Sequence, residues 1–445
     1  MNDRALVLKA ITAFAPKFAG SERLISAALE RARSRAFVNE LCCGTIRNIP
    51  LCDFVMREVA GVKEERTPPR AMAILRCALY EILLCPAQKE YAIVNEWVEL
   101  AGGRKQRGFI NGVLRAVLRA VANRESSASA GARVLPNPAG AGCEFTADIL
   151  TSPSIDLVAY LSQAYSLPLW LVKGWINERG EEAAKGMCAG SNRKPAVYLR
   201  PNSLKTTPEL LKIRLEEAGA TVAQAGEMLV LEGAPVPMNK LPGFTEGFFC
   251  AQDITASEVG RFIAPEKDSV ILDLCSAPGT KATHLAELLG GSGQVIATDI
   301  NPKRLQLVEE NKRRLGLDNL VVVHYDDARE YVRSLGRLDA LLLDVPCSNT
   351  GVLARRLDVR YRLTPDSIAA LTTLQFDIVA RALEFFRQAS TVFYSTCSAE
   401  KSENDHIVHN LEGIVSKLTA SCSQTTLPSA VTYGHDGGYI AKLTR

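Results

Sequence analysis

From about residue 245 onward, short aliphatic runs alternate with helix-length segments, and this alternation constrains the fold more than any other feature of the chain. The runs at 270–274, 294–298, 320–323, 340–343 and 391–395 are rich in β-branched and aliphatic residues and bounded by loop formers. Segments 281–289, 302–315 and 367–387 between them have the length of crossover helices. The pattern predicts a doubly wound parallel sheet, a Rossmann-like α/β domain spanning 241–445. In such sheets ligands lie beyond the carboxyl ends of the strands.

Those carboxyl ends are acidic. The first run leads into Asp273-Leu-Cys-Ser-Ala-Pro-Gly-Thr-Lys281, the second ends at Asp299, the third leads to Asp326 and Asp327, and the fourth ends at Asp344. One aspartate there is often a helix cap, and Asp299 ahead of Pro302 has that form. Four along one sheet edge point instead to a ligand. A dinucleotide brings a pyrophosphate and needs Gly-rich backbone donors at a helix N-terminus. No GxGxxG is present, and carboxylates repel phosphate. S-adenosylmethionine has no phosphate and carries a sulfonium and an ammonium, so the charge favours it over a nicotinamide cofactor. Pro278 and Gly279 predict a tight turn that admits the amino-acid end of the ligand. Asp299 is the expected ribose binder, and Asp327 the expected neighbour of the adenine, with Asp326 as the alternative.

Two cysteines follow strands. Cys347 lies in Asp344-Val-Pro-Cys-Ser-Asn-Thr-Gly351 and Cys397 in Tyr394-Ser-Thr-Cys-Ser398. Both would overlook the crevice of the cofactor loop. Carbon 5 of cytosine is a poor nucleophile, but a thiolate added to carbon 6 makes an enamine-like ring that can attack a methyl sulfonium. A free thiol with a pKa of ~8.5 is only slightly ionised at neutral pH, yet its thiolate is a strong nucleophile. Asp344 is placed to stabilise the adduct near N3 and the exocyclic amine. The plainer reading, two buried strand-end cysteines, loses weight beside such a loop.

The remainder of the chain reads differently. Residues 1–125 show helical periodicity, as in Ile110, Val113, Leu114, Val117 and Leu118, with breakers at Pro50, Pro68–Pro69 and Gly102–Gly103. They hold 20 Lys and Arg against 13 Asp and Glu, whereas the rest holds 32 against 36. The basic part therefore suggests an anionic partner. Residues 126–149 are rich in Ser, Ala, Gly and Pro and predict a flexible linker or loop. Residues 150–240 predict a small α+β module, with helices at 155–165, 169–178 and 208–218 and a strand at 196–200. The twelve cysteines form no CxxC pair, and His406 and His409 lack further nearby ligands, so no metal is expected. Neither a membrane span nor a signal-peptide core is visible, and a cytoplasmic monomer is expected.

The stretches CSAPGTK, DVPCSNTG and YSTCS resemble the cofactor loop, proline–cysteine motif and threonine–cysteine motif of the NOL1/NOP2/Sun family of RNA cytosine-5 methyltransferases. The resemblance spans about 300 residues, through Tyr198-Leu-Arg-Pro-Asn-Ser-Leu-Lys205, Gln252-Asp253 and Asp436-Gly-Gly-Tyr-Ile-Ala-Lys442. It implies that Cys397 is the nucleophile and that Cys347 assists release of the product. It also implies that Cys275, Ser276, Ala277, Pro278, Gly279, Thr280, Lys281, Asp299, Asp327 and Asp344 contact cofactor or base, with Lys281 near the target cytosine. Thr280 and Ala328 stand where the family commonly has glycine. Segments 35–47 and 107–115 resemble a NusB-type helical RNA-binding domain. Such a domain ahead of this core is similar to the bacterial Sun branch, whose substrate is 16S ribosomal RNA. A tRNA or 23S rRNA methyltransferase of the same family is the alternative. A non-catalytic RNA-binding assembly factor is the other, and the presence of both cysteines and all the strand-end aspartates argues against it.

Overall fold

The computed structural model describes the chain except residues 1, 16, 234–235, 387, 415–418, 432 and 445. It comprises two compact units, one of Met1–Lys194 with Leu353–Arg362, the other of Pro195–Val352 with Leu363–Arg445.

The first unit begins with helices α1 (Asp3–Phe14), α2 (Ser21–Leu29), α3 (Arg35–Ala60), α4 (Pro69–Leu84), α5 (Glu90–Glu99) and α6 (Arg104–Ala120). On α6, Ile110, Val113, Leu114 and Val117 are buried at helical spacing, while Arg104, Lys105, Arg107, Arg115 and Arg119 face outward.

Pro50 does not end a helix as its sequence context predicts. It lies inside α3, which kinks at Asn48 (φ −116°, ψ 17°). A proline lacks the N–H that would bond the carbonyl four residues back, here that of Ile46. The Tyr361 hydroxyl donates to that carbonyl instead. Arg360 Nη1 donates to the Arg47 carbonyl at 2.9 Å, and the Leu51 N–H, Arg47's ordinary helical partner, turns to Ser166 Oγ at 3.1 Å. Side chains from far along the chain thus replace the missing helical bonds.

The expected linker is ordered. Strands β1 (Val121–Ser126), β2 (Val134–Asn137) and β3 (Gly140–Phe145) form an antiparallel sheet in the order β1-β3-β2. Val134, Leu135, Cys143 and Phe145 are buried, and Arg124 donates to the carbonyls of Glu81, Ile82 and Cys85 at the end of α4. Backbone pairing and this cap supply the order that the small-residue composition hides. Helices α7 (Leu157–Tyr165), α8 (Leu169–Arg179) and α9 (Glu181–Asn192) complete this unit. Of the elements predicted over 150–240, the helices before 194 group with the first unit and the strands with the second.

In the second unit, β4 (Val197–Pro201), helix α10 (Pro208–Glu217), β5 (Thr221–Ala225), β6 (Met228–Glu232) and β7 (Phe249–Ala251) build a four-stranded antiparallel sheet around Leu199, Leu211, Leu229 and Phe249. There follow α11 (Ile254–Ile263), β8 (Val270–Asp273), α12 (Thr280–Leu288), β9 (Gln294–Asp299), α13 (Pro302–Leu315), β10 (Leu320–His324), α14 (Tyr325–Leu335) and β11 (Leu338–Asp344). A short turn, α15 (Val359–Arg362), belongs to the first unit. The chain returns through α16 (Pro365–Phe386), β12 (Ala389–Thr396), α17 (Asp405–Ile414), β13 (Thr419–Thr426) and β14 (Gly438–Thr444). The predicted end of α16 at Arg387 lies outside the described residues.

The large sheet runs β10-β9-β8-β11-β12-β14-β13. All five predicted strands are present and parallel, but the sheet is mixed, because β14 pairs antiparallel with both β12 and β13. Alternate residues face opposite sides, and both sides are covered. Leu272, Leu341, Leu343, Val392 and Tyr394 pack under α14, α16 and α17, while Ile271, Leu342 and Phe393 pack under α11, α12 and α13.

Arg360 is wholly enclosed in the first unit, where it also donates to the Ser191 carbonyl at 2.9 Å and Asn192 Oδ1 at 3.1 Å. Arg360→Ala would strand these buried acceptors, at about 1–3 kcal/mol for each one left unsatisfied. Denaturant unfolding followed by circular dichroism measures the loss, and an unchanged midpoint would remove Arg360 from the account of the kink.

Candidate active site

The strand order reverses between β8 and β11: the chain proceeds from β8 to β9 and β10 on one side, then to β11 and β12 on the other. A crevice opens at the carboxyl ends there. It holds a cavity of about 570 Å³, within the range of small-molecule sites. Cys275, Ala277, Pro278, Asp299, Asp344, Cys347 and Cys397 line it, as sequence reasoning anticipated. Ser276, Gly279, Thr280 and Lys281 are not among its lining residues, and Lys281 lines a smaller pocket that also reaches Cys397. Asp326 and Asp327 are exposed in the first turn of α14 and do not line it, whereas Tyr325 does. Sequence reasoning missed Tyr325, Asn349, Asp377 and Arg381; the last two face the cavity from α16 and have no motif to mark them.

The loop after β8 is fixed from several sides. Ser276 N–H donates to the Thr298 carbonyl at 2.8 Å, Arg304 donates to the Ala277 carbonyl, and Arg200 Nη1 to the Thr280 carbonyl at 2.9 Å. Gly279 has φ +95°, and a Cβ there would meet Val308 Cγ1 at 2.9 Å, so the turn requires glycine. Asp299 is buried at the end of β9, accepts from the Asn301 N–H at 2.8 Å and pairs with Arg304 at 3.2 Å.

The two cysteines meet. Cys347 Sγ lies 3.2 Å from Cys397 Sγ, and the Cys397 thiol donates to the side-chain Oδ1 of Asn349, a residue with a left-handed backbone (φ 63°), at 3.3 Å. The hydrogen bond from Cys347 lowers the pKa of Cys397; burial and Asp344 oppose this, and Lys281 assists it. The same bond, followed by burial, raises the pKa of Cys347 well above that of an ordinary thiol. Cys397 is thus the more acidic thiol of the pair. Lys281 Nζ reaches Asp344 Oδ2 at 2.7 Å; burial works against its charge, but Asp344 holds its pKa above the usual lysine value. Gly351 closes the arrangement, because a Cβ there would meet the carbonyl oxygens of Gly437 at 2.6 Å and Cys397 at 2.7 Å.

Known proteins share this arrangement of domains. Residues 261–442 match the family described as 16S rRNA methyltransferase RsmB/F, residues 1–119 the NusB family, and residues 167–238 the ferredoxin-like domain of RsmF/B-like methyltransferases. The probable ribosomal RNA small subunit methyltransferase B of Synechocystis sp. is 32% identical over 378 residues, covering 83% of this chain and 79% of that protein. The one of Bacillus subtilis is 29% identical over 387 residues, covering 85% and 79%. The chain belongs to the RsmB/F methyltransferase family. The crystal structure of NSun6 from Pyrococcus horikoshii, 23% identical, superposes with a TM-score of 0.54 over 62% of this chain and 98% of that one, and so shares the fold.

As a methyltransferase of this family, the chain needs a site for a cationic methyl donor, and its electrostatics suit one. Asp273, at the end of β8, is wholly buried with neither carboxylate oxygen in a hydrogen bond of ordinary geometry, and the buried Ser276 hydroxyl beside it is likewise unmatched. Burial, then the charge of Asp344, push the Asp273 pKa up to about 7. The unfolded value is ~3.9, so the folded protein holds a proton that the unfolded chain has released. That contribution to stability is complete below about pH 4 and is lost as pH rises through about 7. Asp273→Asn should therefore gain on the parent as the pH rises from about 5 to about 8, by up to ~1.4 kcal/mol per unit below the folded pKa. Paired thermal melts across that range check it, and a pH-independent difference would contradict the buried proton.

Proposed function

We propose that the protein methylates carbon 5 of a cytosine in 16S ribosomal RNA, with S-adenosylmethionine as methyl donor and a covalent link from Cys397 to cytosine carbon 6. The observation that carries this reading is the sulfur contact between Cys347 and Cys397 beside the Lys281–Asp344 pair, opening on an acidic cavity. The small subunit RNA is taken from the relatives' names and the NusB match.

Asp273, Asp299 and the 275–281 loop suit the two positive charges and the ribose of S-adenosylmethionine. Asp327 stays our candidate for the adenine edge on the strength of the resemblance alone. When bound, the donor supplies a methyl group on a sulfonium. Cys397 adds as thiolate to carbon 6, forming the C6–S bond and moving an electron pair toward carbon 5, with negative charge growing at N3 and O2. Asp344, held by Lys281, lies at the Cys397 side of the crevice and serves the N3 and amine edge. Carbon 5 attacks the methyl carbon, the S–CH3 bond breaks with its electron pair staying on the departing S-adenosylhomocysteine, and carbon 5 then gives its proton to a solvent water. The C6–S bond breaks and its electron pair returns to Cys397, where the Cys347 S–H stabilises the departing thiolate. A paired cytosine cannot present carbon 6 to a thiol, so the target must be unpaired or flipped out.

The two cysteines should separate in experiment. With labelled S-adenosylmethionine and an RNA that carries the target in a loop, Cys397→Ala should abolish methylation and leave no covalent complex. Cys347→Ala should still attack and transfer, then stall as a protein–RNA adduct that survives denaturing electrophoresis. The reverse pattern would exchange the roles, and full activity in both variants would defeat the mechanism.

The basic face of α6 is our candidate for the phosphate backbone. Because it lies opposite the buried stripe, its side chains can be removed without disturbing the core. Replacing Arg104, Lys105 and Arg107 together by Ala should weaken RNA binding and flatten its salt dependence, by about 0.7 in slope for each phosphate no longer neutralised. An unchanged slope in a binding titration against salt would place the RNA elsewhere.

A further inference from the structure

Each cysteine is followed directly by a serine, and both serines end on the same carboxylate. Glu403 lies in the turn Lys401–Glu403 after β12 and is fully buried. Its Oε1 accepts from the Ser348 backbone N–H at 2.9 Å and from Gln375 Nε2 at 3.0 Å, and its Oε2 accepts from Ser398 Oγ at 2.6 Å and from Ser348 Oγ. Gln375 donates also to the Pro346 carbonyl at 3.0 Å, and the Tyr394 hydroxyl donates to the carbonyl of Glu403 itself at 2.8 Å. The neighbouring Asn404 donates to the Ser398 carbonyl at 3.0 Å. The loop after β11 and the loop after β12 are thereby tied to one side chain, one residue beyond each sulfur.

A thiol is a weak hydrogen-bond donor and a weak acceptor, so contact between two sulfurs cannot by itself hold two loops together. Bonds to a buried carboxylate are stronger and fixed in direction. We propose that Glu403 is a positioning residue whose carboxylate sets the contact between Cys347 and Cys397, acting through Ser348 and Ser398 and touching neither substrate. The inference rests on the reading of the two thiols as donor and nucleophile. It adds the group that makes them a pair.

The test compares Glu403→Ala, which removes the tie, with Glu403→Gln, which keeps its shape and removes its charge. The Gln amide can donate to the two serine hydroxyls while its oxygen still accepts from Ser348 N–H and Gln375. One readout uses no RNA: the pH dependence of Cys397 alkylation by iodoacetamide, assigned by peptide mass spectrometry. The groups facing Cys397 are Cys347, Asp344, Lys281 and Glu403. Both variants lack the carboxylate's charge, so any difference between them reports the sulfur contact. Glu403→Ala should show its alkylation midpoint at higher pH than Glu403→Gln, and a kcat lower by about 100-fold, the loss that a ~1 Å misplacement brings. KM for S-adenosylmethionine should not move, and Glu403→Gln should keep most of the parental kcat. Equal midpoints and equal kcat in the two variants would overturn the proposal. If Glu403→Ala fails to bind S-adenosylmethionine in calorimetry, Glu403→Asn, shorter by one methylene and equally uncharged, takes its place against Glu403→Gln with the same expectations. Should the parent protein not methylate cytosine at all, the proposed reaction falls while the alkylation comparison still decides on the tie.

Discussion

The reversal of strand order between β8 and β11 is the constraint on which the rest of the catalytic unit depends. Crossover helices cover the sheet on both faces, and only at the reversal do neighbouring strands lead away from each other and leave their carboxyl ends open. Everything with chemical character gathers there: the loop after β8, Asp344 and Cys347 after β11, and Cys397 after the adjacent β12. In register, Asp344 stands opposite Ser395 and Leu342 opposite Asp273, so the sheet itself brings these groups to one level.

What the sheet gathers, electrostatics must make tolerable. Several carboxylates gather at or beneath the crevice. Asp299 pairs with Arg304 and Asp344 with Lys281, whereas burial pushes the pKa of the enclosed Asp273 up to about 7. The thiols divide their labour in the same manner. Their contact sets them apart, lowering the pKa of Cys397 and raising that of Cys347. A second thiolate in contact with the first would be strongly disfavoured by like-charge repulsion.

Much of this was readable in the sequence, for physical reasons. Strands β8 to β12 are covered on both faces and so appear as aliphatic runs, and the aspartates that end them stand out against that background. Strand β13, TASCSQTT, is mostly exposed and carries no such signal, so the mixed character of the sheet escaped notice. The sheet at 121–145 is built from backbone pairing and a few small side chains. Pro50 read as a breaker because the groups that rescue its helix lie more than 300 residues away. Asp327 lies exposed in the first turn of α14, and Tyr325, which no motif marked, lines the wall. Glu403 had no mark of its own, since beside nearby Ser398 its partners lie 55 residues upstream at Ser348 and 28 at Gln375.

The kink at Pro50 bears on how the chain is made. Synthesis delivers α3 with the carbonyls of Ile46 and Arg47 bare, and they stay so until Arg360 and Tyr361 leave the ribosome. The helical unit therefore cannot reach its final form while the chain is short. Closing it joins residues of very high sequence separation, a kind of contact that forms slowly.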